Sequence, residues 1–308
     1  MMSRNATYFT PFILFFFVTF AQAQQQSDSS FQFAIALPAF NLDQGPSVCI
    51  DQAHFNYHTA VGRYKPYADL LRQDGFRIVT FSSSFNAQTL ANCQVLIIAN
   101  ALAESNQADW SYPHPSAFTR MEIRALVNWV RNGGKLLLIA DHAPFAGAAA
   151  DLGAALGLVM VDVYAVQRRN GADVFRRNDN TLKEHAISTG RSSDEAISSV
   201  TTFTGQAVRL TGDWQPLLSF AAEAFAYISP QQVFQPQSNQ VQGFTVNGWS
   251  QAATREWEQG KVVLLGEAAM CSAQISSNGV AMGMNSPQAP QNAQFCLNIM
   301  HWLTGVIN

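Results

Sequence analysis

Along residues 47–140, short apolar runs alternate with segments whose apolar residues recur at helical spacing. SVCID (47–51) predicts a strand. YKPYADLLRQDG (64–75) predicts a helix closed by Gly75, the residue type that a helix C-terminus favours. FRIVTFSS (76–83) predicts a second strand and NCQVLIIAN (92–100) a third, whose near-continuous apolar stretch suits a strand covered on both faces. FTRMEIRALVNWVRNGG (118–134) predicts a helix with Ile123, Leu126, Val127 and Val130 on one face, stopped by Gly133-Gly134 and feeding a fourth strand, KLLLIAD (135–141). That order is the grammar of an α/β protein with a doubly wound, mostly parallel sheet and right-handed crossovers.

The pattern loosens afterwards. PFAGAAADLGAALG (144–157) predicts an Ala/Gly-rich helix able to pack close to the sheet. Residues 158–260, with VTTFTGQAVRL, QPLLSFAAEAFAYI and GWSQAATREWEQG, suggest antiparallel strands and turns, read as an elaboration carried on the sheet around 160–260. KVVLLGE (261–267) resumes the parallel pattern, and AQFCLNIMHWLTGVI (293–307) closes it as an amphipathic helix. QQVFQPQSNQVQ (231–242) reads as a solvated loop, and no internal repeat is visible.

The first residues are of another kind. Arg4, an apolar core from Phe9 to Phe20 and the exit Ala21-Gln22-Ala23 read as a secretory signal peptide over 1–23. A core of about a dozen residues is short of the roughly 20 that span a bilayer, which disfavours a membrane anchor and any stable insertion after cleavage. No Cys follows the cleavage site, as a lipoprotein would need. Residues 24–46 form an N-terminal extension, leaving 47–308 as one domain, secreted or periplasmic.

Composition narrows the partners. A formal net charge of −3, 13% charged residues and no block of one sign leave no footprint for nucleic acid, so a small-molecule or carbohydrate ligand fits better. Oligomeric state is not legible. Four cysteines in an oxidising compartment allow three pairings. Cys49 with Cys93 and Cys271 with Cys296 is preferred, because Cys49 and Cys93 belong to strands expected to be neighbours; four packed thiols are the alternative. No CxxC pair exists for a thiolate zinc site.

Three of the apolar runs end in acids and histidines: Asp51, His54 and His58; Asp141 and His142; Glu267. Ligands of open α/β sheets bind outside the carboxyl ends of the parallel strands, so these groups can meet in space. His142, Asp141 and Glu267 are the candidate catalytic set, a general acid/base pair with an orienting carboxylate. His54 and His58 share a face if the segment after the first strand is helical, and with Asp51 they are a candidate site for a divalent ion such as zinc. The competing reading makes Asp51 and Asp141 helix caps, and His142 and Glu267 buried hydrogen-bonding residues of a crevice without chemistry. Arg63, Tyr64 and Lys65 are candidate ligand contacts or a solvated rim, and the Pro- and amide-rich loop 282–292 is a candidate cover with Asn285 as a ligand contact, or a loop without function. Cys271 and Ser272 follow the last strand as alternative nucleophiles, against a disulfide and a capping hydroxyl. His114 reads as a loop residue and His301 as structural.

The strand order, GGKLLLIA (133–140) and EHAISTGR (184–191) resemble the class I glutamine amidotransferase-like superfamily, which implies a flavodoxin-like sheet over most of 47–305. The resemblance is nearest to exported or membrane-associated members and more distant to trehalose-utilisation-type proteins. In the latter a His-Ala pair follows the strand where amidotransferases place their cysteine, as His142-Ala143 does here, and a His-Pro-Ile segment is similar to His185-Ala186-Ile187. Residues 139–144 (Ile-Ala-Asp-His-Ala-Pro) hold no Cys or Ser, which excludes glutamine hydrolysis by the covalent route. The expected function is an exported hydrolase of a small or carbohydrate-related substrate, or a non-catalytic sugar- or peptide-binding domain of the cell envelope.

Overall fold

A computed structural model describes residues 25–167, 171–234 and 242–308; the signal-peptide reading and most of the 231–242 loop lie outside them. The elements that position the site are β1 (Ser47–Asp51), α1 (Lys65–Gln73), β2 (Arg77–Phe81), β3 (Val95–Ala99), α2 (Arg120–Arg131), β4 (Lys135–Ile139), α3 (Phe145–Ala155), β5 (Leu158–Met160), β6 (Val208–Leu210), β7 (Gln215–Ser219), β8 (Ser250–Trp257), β9 (Gly260–Leu265) and α4 (Asn292–Thr304). The central sheet runs β2-β1-β3-β4-β9-β8-β6-β5, with β7 also paired to β8. β2, β1, β3, β4 and β9 are parallel, and β8, β6, β5 and β7 join antiparallel.

Alternation along the parallel strands divides the core in two. Val48, Ile50, Ile97, Leu137, Ile139, Val263 and Leu265 face one layer with Tyr67, Leu70 and Leu71 of α1 and Phe295 and Ile299 of α4. Cys49, Leu96, Ile98, Leu136, Leu138, Val262 and Leu264 face the other with Ile123 and Leu126 of α2 and Leu152 of α3. β3 is buried along its whole length, which accounts for its unbroken apolar sequence. Helix ends follow local chemistry: Thr119 caps α2 and Glu122 reaches back to complete a capping box, while Gly305 stops α4 at φ 77°.

The second half extends the sheet and adds two small ones, besides the three-stranded one that Ala273–Ile275 forms with Gln26–Ser27 and Ala281–Gly283. Tyr164–Val166, Phe225–Tyr227 and Gly243–Thr245 form one, Asp173–Arg176 with Ser199–Thr202 the other. The N-terminal extension is docked. Gln26–Ser27 pairs with Ala273–Ile275, and Phe31, Phe33, Ile35 and Phe40 pack on the core layer shared with α1 and α4.

All four cysteines are bridged, Cys49 to Cys93 and Cys271 to Cys296, the preferred pairing. The first joins β1 to the entry of β3, its sheet neighbour. Two disulfides fit a non-cytoplasmic, oxidising compartment. Among the described residues no helix is long and apolar enough to cross a membrane.

Candidate active site at the carboxyl ends of the parallel strands

β4 and β9 are adjacent and parallel, so the residues that follow them emerge side by side. Asp141 Oδ1 accepts the His142 N–H at 2.7 Å and Oδ2 accepts the Ala268 N–H at 3.1 Å, tying the loop after β4 to the loop after β9. Glu267 accepts the N–H groups of Ala269 at 3.0 Å and Met270 at 2.6 Å. All four carboxylate oxygens therefore hold backbone donors, but Asp141 does not cap the helix that follows β4, which starts at Phe145 without a side-chain cap. Burial, and then the charge of Asp141, push the Glu267 carboxyl well above the ordinary range; Asp141 is raised by burial too. Burial and the like charge of Asp141 thus both favour the neutral form of Glu267.

His142 stands at the open side of this pair, its side chain 19% exposed. Its Nδ1 lies 2.7 Å from the Ala143 carbonyl oxygen; a carbonyl only accepts, so Nδ1 carries the hydrogen and Nε2 presents a lone pair. Nε2 lies 3.9 Å from Asp141 Oδ1, too far to be blocked by it and near enough to feel its charge. The ring stacks on Tyr164 at 4.4 Å and 23°. Beyond Tyr164, Asp162 accepts from His114 at 2.6 Å and from the Gly147 N–H at 3.0 Å, so His114 is a buried, bonded group beside the crevice rather than a plain loop residue.

Asn100, first residue after β3, joins the strands. It is buried, sits at φ 51°, and its Oδ1 accepts the Asp141 N–H at 3.0 Å while its Nδ2 faces His58 Nδ1 at 3.3 Å. Its carbonyl accepts the Tyr57 N–H, holding the loop after β1 across the strand ends. Burial, then the nearby Arg63 charge, depress His58 to about 3, so its imidazole is neutral. Tyr64 packs on His58 with rings 4.7 Å apart and donates to the Ala268 carbonyl at 2.9 Å; it is part of the buried wall, not a rim.

His54 and His58 do not share a helical face. Residues 52–64 are irregular, with Phe55 at φ 47°, and the two imidazoles have different partners. His54 Nδ1 meets Asp51 at 2.9 Å and its Nε2 meets Glu122 at 3.1 Å, between the rings of Phe85 and Phe118. Both nitrogens face carboxylate oxygens and must donate, so neither has a lone pair for a metal ion. Among the described residues no three His, Cys, Asp or Glu side chains are placed to hold one. Asp51, His54 and His58, the residues read as an ion site, thus have separate partners: His54 bridges Asp51 and Glu122, while His58 faces Asn100.

The other candidates are also engaged. Arg63 folds over the Tyr57 ring, its guanidinium carbon 3.7 Å from the centroid. Lys65 pairs with Asp69 on the surface of α1. Asn285 donates to Asp28 at 2.9 Å and to the Gln274 carbonyl at 3.1 Å, holding the N-terminal extension. Cys271 is oxidised, and Ser272 is buried, donating to the Ala269 carbonyl at 3.1 Å and accepting from Gln274 at 2.6 Å, so neither is a free nucleophile. His185 caps a helical turn by accepting the Ile187 N–H at 3.1 Å, and His301 pairs with Asp74 at 2.6 Å; both are structural. A concavity of about 370 Å³ lies at the opposite, amino ends of the strands, lined by Gln94, Trp129, Asn132 and Lys135, without an acid or an imidazole.

Asn100 and Glu122 escape a reading of the sequence. The first is the polar residue ending an apolar run, the same signal that marks Asp51 and Asp141; the second is the acid of the Thr119–Glu122 capping box, which hides its second partner.

No family model and no curated protein matches the sequence. Among solved structures, the chain is similar to the N-terminal domain of mmIFT52, with a TM-score of 0.59 at 13% identity over 83% of this chain and 97% of that one. Neighbours include ThuA-like proteins from Bacteroides uniformis (TM-score 0.45, 14% identity, 90% of this chain and 95% of that one) and Parabacteroides merdae (0.44, 11%, 85% and 91%). The first of these is a likeness of fold, and it accords with the mixed α/β chain and mostly parallel central sheet seen here.

Proposed function

We propose that this chain is an exported hydrolase of a small or carbohydrate-related substrate, with His142 as general base. The observation that carries the reading is the locked ring of His142, whose Nδ1–H is held by the Ala143 carbonyl and whose Nε2 lies 3.9 Å from Asp141 Oδ1, on a side chain that keeps 19% exposure beside a buried acid pair. In this scheme Nε2 takes a proton from a water molecule as that water attacks the substrate, the imidazolium so formed is stabilised by Asp141, and it returns the proton to the departing group as the scissile bond breaks. Trp110, half-buried and packed with Tyr57 and Phe145, is an aromatic ring near the site of a kind that suits sugar rings. The parallel strand order, with its second strand at the edge and the switch between β1 and β3, supports a flavodoxin-like reading of the sheet, in which ligands would bind at the strand ends. It supports an amidotransferase-like domain that has lost the cysteine nucleophile.

The second reading is a binding domain of the cell envelope that uses the crevice without chemistry. It is favoured by the engagement of all four carboxylate oxygens with backbone donors.

The test is a panel of nitrophenyl glycosides and esters assayed with the exported protein and with His142→Gln. The hydrolase reading expects turnover of at least one class, lowered about 10²-fold or more in the variant, with an unchanged melting temperature. Turnover indifferent to His142 overturns it. Absence of turnover together with saturable sugar binding transfers the site to the second reading.

A further inference from the structure

The orientation of Asn100 fixes the chemistry of His58. The Asp141 backbone N–H can only donate, so the atom of Asn100 facing it at 3.0 Å is the amide oxygen. The amide nitrogen then faces His58 Nδ1 at 3.3 Å and donates, so Nδ1 bears the lone pair. The neutral imidazole must therefore carry its hydrogen on Nε2. That nitrogen is buried and has no hydrogen-bond partner among the described residues. A buried donor without an acceptor is uncommon in native proteins, and the usual resolution is a bound water or a ligand oxygen. Asn100 holds this arrangement from a left-handed backbone conformation, the kind of strain that clusters at ligand clamps.

We propose that His58 is a ligand-binding residue of the crevice, presenting a fixed Nε2–H donor to an uncharged hydroxyl oxygen, and that Asn100 is the positioning residue that sets its tautomer. The inference rests on the strand-end crevice being the ligand site, which both readings above share. It removes His58 from any metal-binding or proton-accepting role, since Nε2 holds no lone pair. The two imidazoles then differ in what they offer a ligand, His142 accepting a proton and His58 donating a hydrogen bond.

The test is long-range nitrogen–proton NMR on histidine-labelled protein at neutral pH, with glycerol and D-glucose as hydroxyl probes. Wild type is expected to show a bare Nδ1 and a protonated Nε2 at His58. Asn100→Asp replaces the amide donor by an acceptor and is expected to move a proton onto Nδ1. Addition of either probe is expected to shift the His58 Nε2–H signal saturably. His58→Gln, which keeps an N–H donor, is expected to bind the probe within about tenfold of wild type, whereas His58→Phe, which fills the same space without one, loses binding. A protonated Nδ1 in the wild-type protein overturns the proposal. So does an Nε2–H signal that contacts water and ignores both probes, which assigns the site to an ordered water alone. The wild-type arms need no variant to fold, and none needs turnover, so a protein that binds but hydrolyses nothing leaves the result standing.

Discussion

Replacing His54 by Leu removes the centre of the Asp51–His54–Glu122 bridge while filling the space between Phe85 and Phe118. Asp51, fully buried, is then left with the Ala53 N–H at 3.1 Å. Glu122 keeps the Thr119 N–H at 2.9 Å, the Thr119 hydroxyl at 2.7 Å and the Phe85 N–H at 3.3 Å. Removing one partner of a buried ion pair costs about 3–5 kcal/mol, and because Glu122 remains satisfied the loss falls near 3 kcal/mol. At the usual conversion for a chain of this size, the melting temperature drops by roughly 5–10 °C. The loss also depends on pH. Burial draws the His54 pKa down, but the hydrogen bonds and charges of Asp51 and then Glu122 outweigh it and raise the pKa overall. Stabilisation from such a group is complete below the unfolded value of about 6.5 and disappears as pH climbs through the raised folded value. Thermal unfolding of wild type and His54→Leu at pH 6 and 9.5 should thus show a gap that is widest at pH 6 and narrows at 9.5. A gap that is constant or widens with pH would refute a charged His54 between two carboxylates.

Glu267→Gln should flatten the decline of stability with pH. The raised Glu267 pKa gives a contribution present below about 4.3 and lost as pH rises through the folded value, so urea midpoints at pH 5 and 8 should lie closer together in the variant than in wild type. Replacing Cys49 and Cys93 by Ala opens a loop with a sequence separation of 44, worth about 4 kcal/mol on the chain-entropy relation; chemical denaturation of oxidised wild type against the double variant measures it.

How far the sequence could be read depended on whether the information was local. β1, β3, β4 and β9 announce themselves because a strand buried on both faces has to be apolar throughout, and the polar residue that ends each run marks the crevice side. Asp141 and Glu267 were legible for that reason. The loop from Gln52 to Tyr64 was not: its histidines are four apart, but no apolar helical period supports a helix there. Their true partners, Glu122 and Asn100, lie 68 and 42 residues away. Glu122 had a sufficient local role as a cap, which concealed the long-range one. Asn285 read as a ligand contact because nothing in the loop 282–292 reveals that the N-terminal extension returns to meet it.

Asn100 shows how little freedom one site can retain. Its backbone conformation admits Gly readily, Asn and Asp with some tolerance, and most other residues poorly. Its side chain must at once receive a hydrogen from Asp141 and give one to His58. Gly satisfies the backbone and offers neither hydrogen bond; Asp can receive but has nothing to give; Gln has the right amide on the wrong length of stem. The intersection is a single letter. Among divergent chains of this fold, an Asn closing the third strand is therefore a sharp marker of shared ancestry of the site.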